Sequence, residues 1–260
     1  MNPDTRPGLL ERLERESAFE LGRAGEAVEK SAPAQTRSTV VPAPHIPTPT
    51  TWGPRVVRSM PLEMVFKHLS LNELFRLSWG AKNTHGEDWL RLESEYQARL
   101  ALMQRQAIAE GWLNPQCVYG YWPAQAEGDN LLLLDPATLD SSQPVELARF
   151  AFPRQPAGDF LCLADYFAPR SSGLIDVVAL QVVTVGAEAT RRFDRLQDAG
   201  DYTEAYFSHG LAVQTAEAAA NFMHAHIRRE LNLDPEQGKR YSWGYPAIPE
   251  LEDHRIVFDL

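Results

Sequence analysis

Residues 238 to 249 read Gly238-Lys239-Arg240-Tyr241-Ser242-Trp243-Gly244-Tyr245-Pro246-Ala247-Ile248-Pro249. This dozen brings together a guanidinium, three large aromatics, two glycines and two prolines. Arg240 offers a planar fork that matches a carboxylate. Tyr241, Trp243 and Tyr245 can stack on a ring or sit beside a cation. Gly244 permits unusual backbone angles and close approach of a ligand, and Pro246 and Pro249 hold the segment extended. Such a strip suits a ligand that carries an amino acid, a purine and a positive charge. The same composition also suits a C-terminal tail that packs on the core, because aromatics with proline are common structural glue. Both readings stand at this level.

Other catalytic signatures fail. No G-x-G-x-x-G glycine loop, no P-loop and no G-x-S-x-G nucleophile elbow is present. His224 and His226 are two positions apart on an expected helix and point about 200° apart, which is poor for chelating one metal. Cys117 and Cys162 form no C-x-x-C pair and read as small buried hydrophobes. No catalytic residue and no metal ligand is assigned. Asp-x-His-x-x-Gly, the cobalamin-ligand signature, is absent, so the chain is not expected to hold cobalamin on its own.

Composition narrows the class. The 260 residues carry a formal net charge of -10, which argues against nucleic acid as a partner. With 44% hydrophobic residues a sizeable core can form. No stretch approaches the roughly 18 to 20 apolar residues that span a bilayer, and no basic region followed by an apolar run opens the chain. A cytoplasmic location without membrane contact is the expectation.

The strip needs a scaffold. Residues 1 to 50 read as a flexible charged and Pro-rich linker, with Pro33, Pro42, Pro44, Pro47 and Pro49 in its second half. Within it, residues 8 to 30 can form a fragile exposed helix. Such a linker at the start suggests that a partner domain once lay, or still lies, on its N-terminal side, and limited proteolysis is expected to cut there first. The compact region, residues 51 to 260, opens with a helical pattern at Leu62, Val65, Phe66 and Leu69 after Pro61. Ser70 and Glu73 make a capping box for a second short helix. A long helix follows from about Asp88 to Glu110, with Trp89, Leu92, Tyr96, Leu100, Met103 and Ala107 on one face and Gly111 at its end. Cys117 to Tyr121, Asn130 to Leu134, Leu147 to Phe152 and Leu174 to Val185 read as strands. The run Val177 to Val185 is apolar on both faces, so a central strand is expected there. A long helix from about Tyr202 to Leu231 turns Ala212, Ala216, Ala219, Met223 and Ile227 inward. Helices and strands are segregated, which predicts an α+β fold.

Several ordered phrases resemble one family. Arg240, Gly244, Tyr245, Pro246, Ala247 and Pro249 match its Arg-Pro-Ala-Pro-Gly-Tyr-Pro-Ala-Cys-Pro stretch. Trp52-Gly53 with Arg55-Val56-Val57, then Leu113-Asn114-Pro115, Val118-Tyr119-Gly120-Tyr121-Trp122-Pro123-Ala124 and Gly128-Asp129-Asn130 follow the family order. So do Arg154-Gln155, Cys162-Leu163-Ala164-Asp165-Tyr166-Phe167-Ala168-Pro169, Val183-Thr184-Val185-Gly186, Asp201-Tyr202 and the helix reaching His224. The chain resembles, over most of residues 51 to 260, the S-adenosylmethionine-binding reactivation domain of cobalamin-dependent methionine synthase.

That resemblance implies a bent antiparallel sheet flanked by helices, with S-adenosylmethionine in a shallow groove. It implies a role in reductive methylation of oxidised cobalamin, which a partner domain or chain would carry, with a flavodoxin-like electron donor. The chain would be part of a methyltransferase acting on 5-methyltetrahydrofolate and homocysteine, unable to make methionine alone. Carried over, Arg240 binds the ligand's carboxylate, and Ser242, Gly244 and Tyr245 add contacts, at Ser242 through the backbone. Asp88, with Glu87 one position away, corresponds to the acid that meets the ligand's amino group.

Departures from the family accompany the matches. Ala225 stands where a glutamate often follows the histidine. Asp234 or Glu236 stands in for an acid upstream of the arginine, and Tyr241-Ser242-Trp243 replaces Pro-Ala-Pro. The resemblance also places Leu260 before the family's last strands, so the domain is expected to lack them. Ala225 and the short C-terminus favour a second reading, a non-catalytic interaction module of the same fold that has lost its ligand.

Overall fold

The computed structural model describes residues 38–42, 45–234 and 237–260. Five antiparallel strands form one curled sheet: β1 (Gly53–Val57), β2 (Gln116–Glu127), β3 (Asn130–Leu134), β4 (Glu146–Ala151) and β5 (Asp176–Thr184). β2 is the spine. Cys117–Tyr121 pair with β1, Gln116–Ala124 pair with β5, and Ala124–Glu127 pair with β3, which in turn pairs with β4. Gly128, at φ +62°, closes the β2–β3 hairpin.

β2 changes its buried face along its length. Cys117, Tyr119 and Tyr121 share one side of the pleat and pack with Met223, Ile227 and Leu231. Trp122, Ala124 and Ala126 face the opposite side and pack with Leu131, Leu133, Phe150 and Leu180. A period of two makes this switch possible, because alternate residues point to opposite faces. Gly120 sits at the crossover. A Cβ there would lie 2.5 Å from the Gly53 carbonyl oxygen, so only glycine lets β1 and β2 approach.

The helices are α1 (Leu62–Phe66), α2 (Gly86–Glu110), α3 (Ala187–Asp198), α4 (Tyr202–Glu230) and α5 (His254–Asp259), with a π-helical turn at Glu73–Ser78. The expected pattern of α2 holds: Leu100, Met103 and Ala107 are buried, and Gly111 ends it at φ +67°. Ser70 Oγ accepts from the Glu73 N–H at 3.4 Å, so half of the expected capping box forms. α4 buries Ala212, Ala219, Met223 and Ile227 as its spacing predicts. Asp201 caps it, accepting from the Glu204 N–H at 3.2 Å. α3 and α5 have no counterpart among the sequence expectations. Nor does the C-terminal half of β2, where small residues weaken the strand signal.

One expectation is corrected. The apolar run at 177–185 is not central: among the described residues β5 pairs with β2 alone and lies at an edge of the sheet. Its two-sided apolarity has another cause. Val177, Ala179 and Val183 pack beneath α4, while Leu180 and Val178 serve the opposite cluster. Gln181 Nε2 donates to the Ala220 carbonyl at 3.1 Å, tying this edge to the helix.

Most of the expected 1–50 linker, with its 8–30 helix, lies outside the described residues. Of its described part, Pro47 and Pro49 are buried, and the His45 carbonyl accepts from Gln237 Nε2 at 3.1 Å. Cys117 and Cys162 are buried, as expected, and burial pushes the Cys117 thiol up to about 12. No helix among the described residues is long and apolar enough to cross a membrane.

Close helix packing supplies a stability test. Trp79 is 2% exposed, and its Nε1 donates to the Phe207 carbonyl at 3.1 Å. A Cβ on Gly210 of α4 would meet Trp79 Cδ1 at 2.7 Å. Helix propensity alone favours Ala over Gly by about 1 kcal/mol. Here overpacking is expected to win, so Gly210→Ala lowers stability by roughly 1–3 kcal/mol in urea denaturation. A stabilised variant would refute the contact.

Candidate functional site

The strip crosses from one side of the sheet to the other. At its start, Arg240 Nη2 donates to Glu217 Oε2 and Asn221 Oδ1 of α4, each at 3.1 Å, and Nη1 donates to Ser242 Oγ at 3.0 Å. Glu217 and Asn221 are four apart, so they lie on one helical face. Three residues beyond Arg240, Trp243 turns inward against Phe150, with centroids 5.5 Å apart, and its Nε1 donates to Asp253 Oδ2 at 3.3 Å. Ile248 is 5% exposed in the same cluster, and Ile256 and Val257 of α5 cover it.

The two sequence readings therefore divide the strip between them. Trp243, Ala247 and Ile248 are structural anchors. Tyr241, Gly244, Tyr245 and Pro246 face outward, with Tyr245 62% exposed. Gly244 lies at φ +88°, and its N–H donates to the Ile248 carbonyl at 2.8 Å while the Ile248 N–H donates to the Tyr245 carbonyl at 2.8 Å. This tight loop consumes the Gly244 N–H, and a Cβ on Gly244 would meet Leu251 Cδ2 at 3.3 Å, so glycine fits both the backbone angle and the close packing there. The Ser242 main chain has no backbone partner among the described residues, and its hydroxyl is occupied by Arg240.

Arg240 and Ser242 are thus joined by a hydrogen bond, and Gly244 and Tyr245 follow them in the chain on the tight loop closed by Ile248. Asp88 stands apart, in the first turn of α2, where its exposed carboxylate accepts from Arg91 Nη2 at 3.0 Å. No hydrogen bond or ion pair among the described residues links Asp88 to the strip. His224 is half-buried one turn beyond Asn221. Burial holds its pKa below the ordinary value, and Arg228 and Arg240 add to the effect. Its neutral ring adds no charge beside the strip at pH 7. Asp234, one of the two acids placed upstream of the arginine, accepts from Arg228 Nη2 through its carbonyl at 2.5 Å. Glu236, the other, lies outside the described residues. No group of acids, histidines and cysteines among the described residues can hold a metal.

Sequence reasoning missed Glu217 and Asn221. Their i, i+4 spacing in a helix otherwise lined with alanine was the available signal. It also missed a second polar cluster, under the C-terminal end of α4. There Glu230 Oε2 accepts from Tyr121 OH at 2.6 Å and Tyr119 OH at 3.0 Å, and Oε1 accepts from Arg55 Nη1 at 2.5 Å. His226 Nε2 lies 3.2 Å from Tyr119 OH. Burial alone would raise the Glu230 pKa, but the hydrogen bonds from Tyr121, Tyr119 and Arg55 outweigh it and hold the group below its ordinary 4.5.

A depressed folded-state pKa contributes stability above the unfolded value, and that stability is lost as pH falls through the folded one. Acid titration of stability is therefore expected to fall more steeply below about pH 4.5 in the wild type than in Glu230→Gln. Parallel curves would show that Glu230 contributes nothing through its charge.

A curled antiparallel sheet with one long helix over its spine and edge strand, crossed by an aromatic and glycine-containing C-terminal strip, defines an α+β module. The family model for the vitamin B12 dependent methionine synthase activation domain matches residues 62–260, and the chain belongs to that family. It is 32% identical over 265 residues to methionine synthase of Mycobacterium tuberculosis (strain ATCC 25618 / H37Rv), covering 90% of this chain and 22% of that protein. It is 30% identical over 264 residues to methionine synthase of Mycobacterium leprae (strain TN), with the same coverage. The chain thus spans about a fifth of the length of these relatives. The fold is similar to a crystal structure of the MetH reactivation domain bound to AdoHcy, with TM-score 0.69 and 24% identity, covering 88% of this chain and 74% of that one. The expected fold class, an α+β bent antiparallel sheet flanked by helices, is the observed one.

Proposed function

We propose that this chain binds S-adenosylmethionine along the Arg240–Pro249 strip and presents it for reductive methylation of oxidised cobalamin. One observation carries the reading: within one short strip Trp243 and Ile248 anchor the chain in the second cluster, Arg240 is held half-buried against α4 by Glu217 and Asn221, and Gly244 and Tyr245 face outward. The ligand chemistry fits these residues. The guanidinium matches an amino-acid carboxylate. The exposed rings of Tyr241 and Tyr245 suit a purine or a sulfonium. Gly244 keeps a side chain out of the approach. The assignment of Asp88 to the ligand's amino group rests on the resemblance alone.

S-adenosylmethionine would supply a methyl cation equivalent and leave as AdoHcy, and cobalamin, carried by a partner domain or chain and first reduced by the electron donor, would accept the methyl group. This chain's contribution is position, because methyl transfer needs the reacting atoms at near-attack distance. A flavodoxin-like protein is the proposed electron donor, and the cytoplasm the proposed setting. The module is proposed to act as one part of a methyltransferase and not to make methionine alone. Residues 51 to 260 are proposed as the domain.

Calorimetric titration with S-adenosylmethionine tests binding. Addition of the chain to a cobalamin-binding domain of methionine synthase, with reductant and S-adenosylmethionine, tests the role through the cobalamin spectrum. Binding without any spectral change would leave a ligand site with no reactivation. No binding in either assay would favour the second reading, an interaction module that keeps the fold without the ligand; Ala225, where the family often has a glutamate, supports that alternative.

A further inference from the structure

Arg240, the residue proposed for a ligand carboxylate, already holds a carboxylate. Glu217 Oε2 and Asn221 Oδ1 both accept from its Nη2 at 3.1 Å, and Ser242 Oγ accepts from its Nη1 at 3.0 Å. A guanidinium has two edges that can grip a carboxylate with paired bonds, Nε with Nη2 and Nη1 with Nη2. Nη2 belongs to both edges. It carries two hydrogens, and both are engaged. No carboxylate can therefore be gripped by two bonds at Arg240 while Glu217 and Asn221 keep theirs.

We infer that Glu217 is an internal competitor for the carboxylate of the ligand, displaced from Arg240 when the ligand binds. This rests on the proposed role of Arg240. Of the two occupants, Glu217 is the one that must leave. Its negative charge repels an incoming carboxylate at the same guanidinium, whereas the neutral Asn221 amide does not. Its side chain is 46% exposed, so it can swing into water and regain hydration, while Arg240, at 23%, stays braced by Ser242 and Asn221. Glu217 thereby sets a threshold. Ligands that bring a carboxylate must outcompete it, and ligands without one leave the internal pair intact.

The test compares the full chain with Glu217→Gln by calorimetry, using two probes. AdoHcy carries a carboxylate; 5′-methylthioadenosine keeps the nucleoside and thioether without one. Removing the competing charge is expected to tighten AdoHcy binding about threefold to fivefold, the worth of a partly exposed ion pair. Binding of 5′-methylthioadenosine is expected to stay unchanged. Glu217→Ala, checked for an unaltered melting temperature, is expected to repeat the pattern. Weaker AdoHcy binding by both variants overturns the inference, because Glu217 then helps to hold the ligand. Equal tightening of both probes also overturns it, since the effect would not pass through the carboxylate. If AdoHcy binds neither wild type nor variant, the reading of Arg240 falls and this inference with it.

Discussion

Arg240→Ala is expected to weaken S-adenosylmethionine binding by about 30-fold or more and to leave the melting temperature nearly unchanged. Removing a charged partner from a bound carboxylate typically costs roughly 2–5 kcal/mol, and about 1.4 kcal/mol is tenfold in affinity. The stability side is smaller. Arg240 ties the strip to α4 through Glu217 and Asn221, but Glu217 is nearly half exposed. Such pairs contribute about 0–1 kcal/mol. The strip also keeps its own anchors, Trp243 and Ile248, in the second cluster. Arg240→Lys should recover only part of the affinity, because a point charge cannot replace the planar fork. Affinity and melting temperature measured on one preparation decide the matter. Unchanged affinity with a large loss of stability would make Arg240 a packing residue and sink the site assignment.

The largest stability effect is expected at Arg154. Its guanidinium bridges Asp165 twice, at 2.6 and 2.9 Å, meets Asp129 Oδ1 at 2.6 Å and donates to the Phe160 carbonyl at 2.7 Å. The Asp165 side chain is only 4% exposed. The paired carboxylates, Asp165 first, hold the Arg154 pKa above its ordinary value. Replacing Arg154 with Ala leaves the Asp165 charge buried without its guanidinium. Breaking a buried pair from one side costs about 3–5 kcal/mol. It also frees Phe160, which sits at φ +53°, a conformation rare outside glycine. Urea denaturation of Arg154→Ala should show a loss of that size. Arg154→Ala with Asp165→Asn should recover part of it, since the stranded charge is gone. A loss below 1 kcal/mol in the single variant would mean that water reaches Asp165 and that the clamp is ornamental.

The clamp also shows what kind of information the sequence carries. Arg154 and Asp165 were visible as members of two ordered family phrases, Arg154-Gln155 and Cys162 to Pro169, yet nothing in their spacing announced that they touch. Local patterns were more readable. Apolar residues at helical spacing marked α2 and α4 because a helix exposes one stripe to the core. Gly111 and Asp201 marked helix ends because each meets a demand of the local backbone. The shorter elements were less legible. α5 is six residues long and fully dependent on packing against the second cluster, so it carries little intrinsic signal. α3 turns Ala189, Phe193 and Leu196 inward only half-buried, with the charged Arg192 on the same face, so its apolar stripe is short and interrupted.

By itself the sequence determined the segregated α+β composition, the long helices, the strip from Gly238 to Pro249 and, through the order of its motifs, the family. Each of these depends on contacts between near neighbours or on residue identity. The tertiary structure decided the rest. Only pairing partners make 177–185 an edge strand, because an apolar run reports which faces are covered and not which edges are bonded. Only the fold sorts the strip into Trp243 and Ile248, packed into the core, the first half-buried and the second buried, and Gly244 and Tyr245, exposed. And only the approach of α4, 23 residues earlier in the chain, gives Arg240 a carboxylate of its own at 3.1 Å. A side chain's type announces which bond it can make, and the packing of distant segments chooses the atom that makes it.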